Sequence, residues 1–192
     1  TSLDPHQAEL VGISLALEAG HAAYIPLSHR YTGAPTQLDR EQVLERMRPL
    51  LEDAHIRKLG QNLKYDMHVL ANHGIRLNGV QHDTLLESYV LESDKPHDMD
   101  SMAARHLNAK TITYAEVAGK GVNQIGFEQV PIDRATEYAA EDADITLRLH
   151  QHLYPQLSAD SKLSYIYNTI ELPVMEVLFK MERNGVLLDT QV

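Results

Sequence analysis

The chain has 192 residues, 43% of them hydrophobic, no cysteine and a formal net charge of -10. That length buries one full core and starts a second; the missing thiols exclude disulfides and thiolate metal sites, and the acidity argues against a surface that grips long duplex DNA through Lys and Arg. No apolar run reaches membrane-spanning length and no basic-then-apolar leader opens the chain, so a soluble protein with no membrane partner is expected, and the opening Thr reads as part of a longer one.

Leu10 to Leu17 is apolar enough for a buried strand, Glu18-Ala-Gly-His21 reads as a turn, and Ala22 to Leu27 reads as a second strand, which makes a hairpin. Ser28 to Thr36, with Gly33 and Pro35, is a loop. A helix is expected from Leu38-Asp-Arg-Glu41 to about Glu52, with Pro49 as a potential early stop. Next come a weak strand at Arg57 to Gln61, a helix opening after Asn62, a short strand at Gly79 to His82 and a helix from Thr84 to Leu91. This alternation predicts an α/β mixed sheet covered by helices. Ser93 to Gln129 reads as a surface-rich segment of Gly, Pro and short helices over one edge of the site. A helical run free of Gly and Pro follows from Ile132 to Tyr154, a boundary falls near Leu157 to Asp160, and Leu163 to Asn184 is helical with a new start at Pro173. Residues 1–157 are thus expected as one domain and residues 158–192 as the helical start of another. The eleven histidines are scattered, are expected mostly at the surface, and none is assigned to a metal.

Two aspartates sit awkwardly in this scheme. Asp142 shares a helical stripe with Ala135, Tyr138, Ala139, Ile145 and Leu149, where a carboxylate is costly unless a cation, a metal or donors compensate it. A structural ion pair and a functional role both answer that description. Asp66 follows Asn62, a plausible N-cap, beside the apolar positions Leu63, Met67 and Leu70. It reads equally as an acid favoured by the positive end of the helix dipole.

The two segments together resemble a known family. Gly60-Gln-Asn-Leu-Lys-Tyr-Asp66 is similar to the second motif, and Tyr138-Ala-Ala-Glu-Asp142-Ala-Asp to the third motif, of the 3'-5' proofreading exonuclease domain of bacterial family A DNA polymerases. His82-Asp-Thr-Leu-Leu-Glu-Ser-Tyr89, His97-Asp-Met-Asp100 and Gly119-Lys-Gly121 match between them, and the likeness runs from Thr1 to Val192. It implies a ribonuclease H-like, DnaQ-like fold with the first strand largely missing from this chain. It implies hydrolysis of the 3'-terminal phosphodiester of a single-stranded DNA end, for a polymerase domain attached in the same chain, in the bacterial cytoplasm at the nucleoid. Two divalent ions, Mg²⁺ or Mn²⁺ with Zn²⁺ as a further fit, would serve as cofactors.

The same resemblance implies roles for individual residues. Asp142 would help hold the ion that activates water, Asp66 would belong to the sphere of the second ion, and Tyr138 would orient the attacking water. Leu3 would wedge between terminal bases, Gln61 and Asn62 would contact the strand, and Tyr114 would pack on a base. Read as residues alone, Leu3 also fits plain core, Tyr114 half-buried packing, Gln61 a strand end and Asn62 a helix cap. The family's first motif, an Asp-x-Glu on the opening strand, is expected to precede Thr1, so the chain is expected to be inactive by itself. A catalytically inactive scaffold supporting the polymerase is the alternative, and an RNA-processing exonuclease of the same superfamily is a third reading.

Overall fold

The computed structural model describes residues 2–187, so Thr1 and residues 188–192, the two ends of the expected domains, lie outside the described residues. The chain opens with the expected hairpin, β1 (Gly12–Glu18) paired antiparallel with β2 (His21–Pro26), in a register from Gly12 opposite Pro26 to Glu18 opposite His21. Its tight turn needs a left-handed residue, which Gly20 supplies at φ 83°. The helix α1 (Arg40–Glu52) begins where the Asp39 side chain accepts the Gln42 N–H at 2.9 Å. Pro49 does not stop it, because Leu44 and Leu51 on either side of that proline are buried in the core.

The parallel pair comes next. β3 (Lys58–Gly60) leads into α2 (Leu63–Asn72), and β4 (Val80–Asp83) returns beside β3 and passes directly into α3 (Thr84–Leu91). Among the described residues no ladder joins this pair to the hairpin, so the expected mixed sheet is present as two separate pairs. What unites them is α6 (Ile132–Ala159), which packs against β1, β2 and β3. Its buried face includes Ala135, Ala139, Ile145 and Leu149 of the predicted stripe and extends to Leu153, while Tyr138 of that stripe is half-buried. The helix outlasts the predicted end at Tyr154 and runs through Pro155, because Leu153 and Leu157 are both fully buried and their packing outweighs the lost backbone bond.

Between α3 and α6 lie α4 (Met99–Met102), a π turn over Ala103–Leu107, α5 (Tyr114–Ala118) with a Thr113–Glu116 capping box, and two short 3₁₀ turns. This segment is not merely a surface cover, since Met102, Ala103 and Val130 are wholly buried and Met102 and Ala103 pack with Ile145, Leu149 and Leu153. After α6 come α7 (Ser161–Tyr165), a π segment over Ile166–Glu171 and α8 (Leu172–Asn184), which ends at Gly185 with φ 69°. Met175 of α8 joins the core formed by Leu44, Leu51, Leu63, Met67, Leu70, Ile75 and Leu77. No helix among the described residues is long and apolar enough to cross a membrane. Histidines are more internal than expected: His29 and His68 are buried.

Candidate active site

Asp142 lies on the half-buried flank of α6, and no cation pairs with it among the described residues. Its Oδ1 is buried and has no hydrogen-bond partner. Burial pushes its pKa up to about 7; the Tyr138 hydroxyl one turn earlier opposes that shift by hydrogen bonding, while the charges of Asp100 and Glu141 add to it. The ion-pair explanation of Asp142 therefore fails, and an uncompensated acid remains. Its neighbours are spent elsewhere, as helix geometry requires: Glu141 accepts the Ile112 N–H at 2.6 Å and Asp144 accepts the Gly20 N–H at 2.5 Å.

Asp66 occupies the first turn of α2, but the helix dipole does not set its character. The residue stays open to water although protein crowds it. That crowding, and then the nearby Asp83 carboxylate, push its pKa up to about 7 against a smaller opposing backbone hydrogen bond. Solvent access tempers the shift without reversing it.

Asp83 was not legible as part of this site. At the end of β4, nearly inaccessible, its carboxylate accepts the Leu63 N–H at 2.7 Å and the Asn62 N–H at 3.1 Å, and it also caps α3 through the Leu85 N–H at 2.9 Å. It thus does the work expected of Asn62. Asn62 sits before α2 in a left-handed conformation, φ 59°, and its side chain makes no capping bond. One buried acid thereby fixes the starts of two helices and the position of Asp66.

The aromatic side chains connect the two halves. Tyr138 meets Tyr114 edge to face with ring centres 6.2 Å apart and Phe127 at 5.8 Å, while Tyr114 stacks on Phe127 at 6.3 Å. Tyr114 keeps a partly exposed face, and Tyr65, beside Asp66, lies within electrostatic reach of it. The Tyr65 hydroxyl donates to the Ser2 carbonyl, which pins the turn carrying Leu3. Leu3 is fully exposed, so it is not plain core. Gln61 is held structurally, accepting from the Thr84 hydroxyl and donating to the His97 carbonyl at 3.2 Å.

Asp142, Tyr138 and Tyr114 are therefore brought together, while Asp66 is linked to them through Tyr65, which lies within electrostatic reach of both Asp66 and Tyr114 and holds the turn before Leu3. Asp66 and Asp142 do not belong to any three-ligand cluster among the described residues. The chain's one Asp-x-Glu triplet, Asp39-Arg40-Glu41, starts α1 rather than lying on a strand, so it does not supply the first motif. Asp100, held by the Thr111 hydroxyl at 2.6 Å, also faces Asp142; His97-Asp-Met-Asp100 was its sequence signal.

Comparison with known proteins identifies the family. Residues 1–158 match the family of 3'-5' exonuclease domains found in A-type DNA polymerases. DNA polymerase I of Pseudomonas aeruginosa is 52% identical over 98% of this chain and 21% of its own length, and that of Rhizobium leguminosarum is 42% identical over 100% and 20%. The chain thus spans about a fifth of these relatives. Among solved structures, the POL domain of Pol1 from M. smegmatis, in complex with DNA primer-template and dNTP, superposes with a TM-score of 0.71 at 23% identity over 96% of this chain and 28% of its own. Brucella melitensis NrnC gives 0.62 at 19% identity over 98% of this chain and 85% of its own. These last two likenesses show the α/β fold alone. The chain belongs to the 3'-5' exonuclease family of A-type DNA polymerases.

Proposed function

We propose that this domain is a metal-dependent 3'-5' exonuclease that removes the terminal nucleotide from a single-stranded DNA end and proofreads for a polymerase carried in the same protein. The observation that carries the metal dependence is the orphaned, buried Oδ1 of Asp142, an acid without a cation beside a surface tyrosine cluster. Hard oxygen ligands of this kind suit Mg²⁺ or Mn²⁺, with Zn²⁺ a further fit. Asp142 would hold one ion and Asp66, open to water, would reach the other through bound water. When bound, such ions lower the pKa of water and neutralise charge on the leaving 3'-oxygen.

The protein's own groups do the rest. Burial and the nearby Asp142 charge keep the Tyr138 phenol protonated, so its hydroxyl can orient the attacking water as a neutral group. The ring face of Tyr114 and the exposed Leu3 offer apolar contacts for unstacked bases, which suits a short single strand better than a duplex and needs no basic surface. Gln61 is anchored by Thr84 and His97, and Asn62 is fixed in place by Asp83, so both present polar groups at defined positions beside Asp66. Residues 158–192 would begin the polymerase region, in line with a family match that ends at residue 158 and with the bacterial polymerases that extend beyond it. The bacterial relatives support action in the cytoplasm, at nucleoid DNA.

The test uses DNA labelled at either end. A chain that joins this domain to an Asp-x-Glu strand should release a 3' label at once with Mg²⁺ or Mn²⁺ and a 5' label only late, and EDTA should stop both. Early release of the 5' label, or cleavage indifferent to EDTA, would overturn the proposal. The 192-residue chain, whose strands carry no Asp-x-Glu, should cleave weakly at most; an inactive longer chain would instead support the scaffold role.

A further inference from the structure

We propose that His82, Glu87 and His150 form a second metal site, for zinc or a similar borderline transition cation, separate from Asp66 and Asp142. It is independent of the proposed nuclease function. The three residues come from β4, α3 and α6, and their candidate ligand atoms all lie within 4.8 Å of one another. Glu87 is wholly buried, with its Oε1 2.7 Å from His150 Nδ1 and 3.5 Å from His82 Nδ1. The longer contact does not have hydrogen-bond geometry, so His82 Nδ1 has no partner, and neither does Glu87 Oε2.

An unpartnered imidazole nitrogen beside a buried carboxylate that has one unpartnered oxygen of its own is costly where no Lys or Arg pairs with that carboxylate among the described residues. A cation resolves the cost. Two imidazole nitrogens and one carboxylate oxygen form the donor set of many zinc sites, with metal–ligand distances of about 2.0–2.2 Å and ligand atoms consequently roughly 3.3 Å apart. Separations of 2.7 and 3.5 Å bracket that value, so small side-chain rotations would complete the site. His82 and His150 keep 16% and 18% of their side chains exposed, which leaves an entry path and room for a water ligand. The surroundings hold the ligands in place: the Tyr154 ring meets His82 edge-on at 4.5 Å, and the Tyr167 hydroxyl lies 3.4 Å from Glu87 Oε1 while accepting the Asp83 N–H at 3.0 Å. Nitrogen donors separate this site from the all-oxygen pair Asp66 and Asp142, and they favour zinc over magnesium.

Cobalt is the probe, because tetrahedral Co²⁺ absorbs visible light. The 192-residue chain, stripped with chelator, should take up one equivalent of Co²⁺ with tetrahedral d–d bands, and Zn²⁺ but not Mg²⁺ should displace it. His82→Phe, which keeps a ring against Tyr154, should weaken binding more than about tenfold, while Asp66→Asn and Asp142→Asn should leave it unchanged. X-ray absorption of the zinc-loaded wild-type chain should show two imidazoles, a readout that needs no variant to fold. Absence of the d–d bands, binding unaffected by His82→Phe, or a zinc spectrum without imidazole would overturn the proposal.

Discussion

The pKa values of Asp142 and Asp66 are both raised to about 7 chiefly by burial, with nearby carboxylates adding to it, yet one acid sits on a helix surface and the other at a helix start. Asp142 is half-buried on the long α6, partnered only by a tyrosine, with one oxygen orphaned. Asp66 is open to water, crowded by protein and by the Asp83 carboxylate, on a helix whose first N–H groups another acid already occupies. The first acid has like charges in Asp100 and Glu141 and a tyrosine as its hydrogen-bond partner; the second has a like charge in Asp83 and stays open to water. Both conditions favour the arrival of cations, but they should respond differently to substitution.

The largest expected change in stability follows Asp83→Ala. Loss of a buried carboxylate that accepts four backbone N–H groups at the starts of α2 and α3 should cost about 2–4 kcal/mol in a urea melt, and should displace Asp66 but not Asp142. A loss below about 1 kcal/mol would mean that α2 is capped by other means.

Asp142→Asn should have the opposite sign in metal-free buffer. With a folded pKa of about 7 against an ordinary 3.8, the contribution of Asp142 to stability is fully present below pH 4 and lost as pH rises through 7. The variant should therefore gain on the wild type between pH 4 and 8, by on the order of 2 kcal/mol, and Mn²⁺ should narrow the gap by stabilising only the wild type. Melting curves that run parallel across this range would remove the uncompensated charge from the account. Asp66→Asn, open to water, should show the same trend in weaker form.

Tyr138→Phe keeps the ring contacts to Tyr114 and Phe127 and removes only the hydroxyl. Cleavage should fall about 10- to 100-fold with the melting temperature nearly unchanged; full activity would deny the phenol a part in placing water. The smallest effect is expected for Glu182→Gln, which weakens the bonds from α8 to Lys64 and to His68 of α2 at its largely exposed end. About 1 kcal/mol or less should be lost, and less still at high salt.

Much of this was legible from local pattern. The span Thr84–Leu91 was read to the residue, and the stripe that exposed Asp142 as anomalous lies mostly on the buried face of α6. Hidden features depend on contacts distant in sequence. Asp83 caps α2 from about twenty residues away, so the plausible local cap, Asn62, was chosen instead. Pro155 marked an end that the burial of Leu157 overrode. The π segments at Ala103–Leu107 and Ile166–Glu171 insert a residue into the helical period and leave no trace in it. His82, Glu87 and His150 meet only because β4, α3 and α6 pack together, and no spacing rule joins positions so far apart. The left-handed Asn62 and the exposed Leu3 likewise follow from tertiary anchoring through Asp83 and Tyr65.

The central claim is that Asp66 and Asp142 act together on a DNA 3' end. It is tested most directly by timing release of the terminal nucleotide from a 3'-labelled single strand with Mn²⁺, using a chain that includes the Asp-x-Glu strand and its Asp66→Ala and Asp142→Ala variants. Each substitution should slow release by about three orders of magnitude while circular dichroism shows the fold retained. Undiminished release in both folded variants would contradict the account.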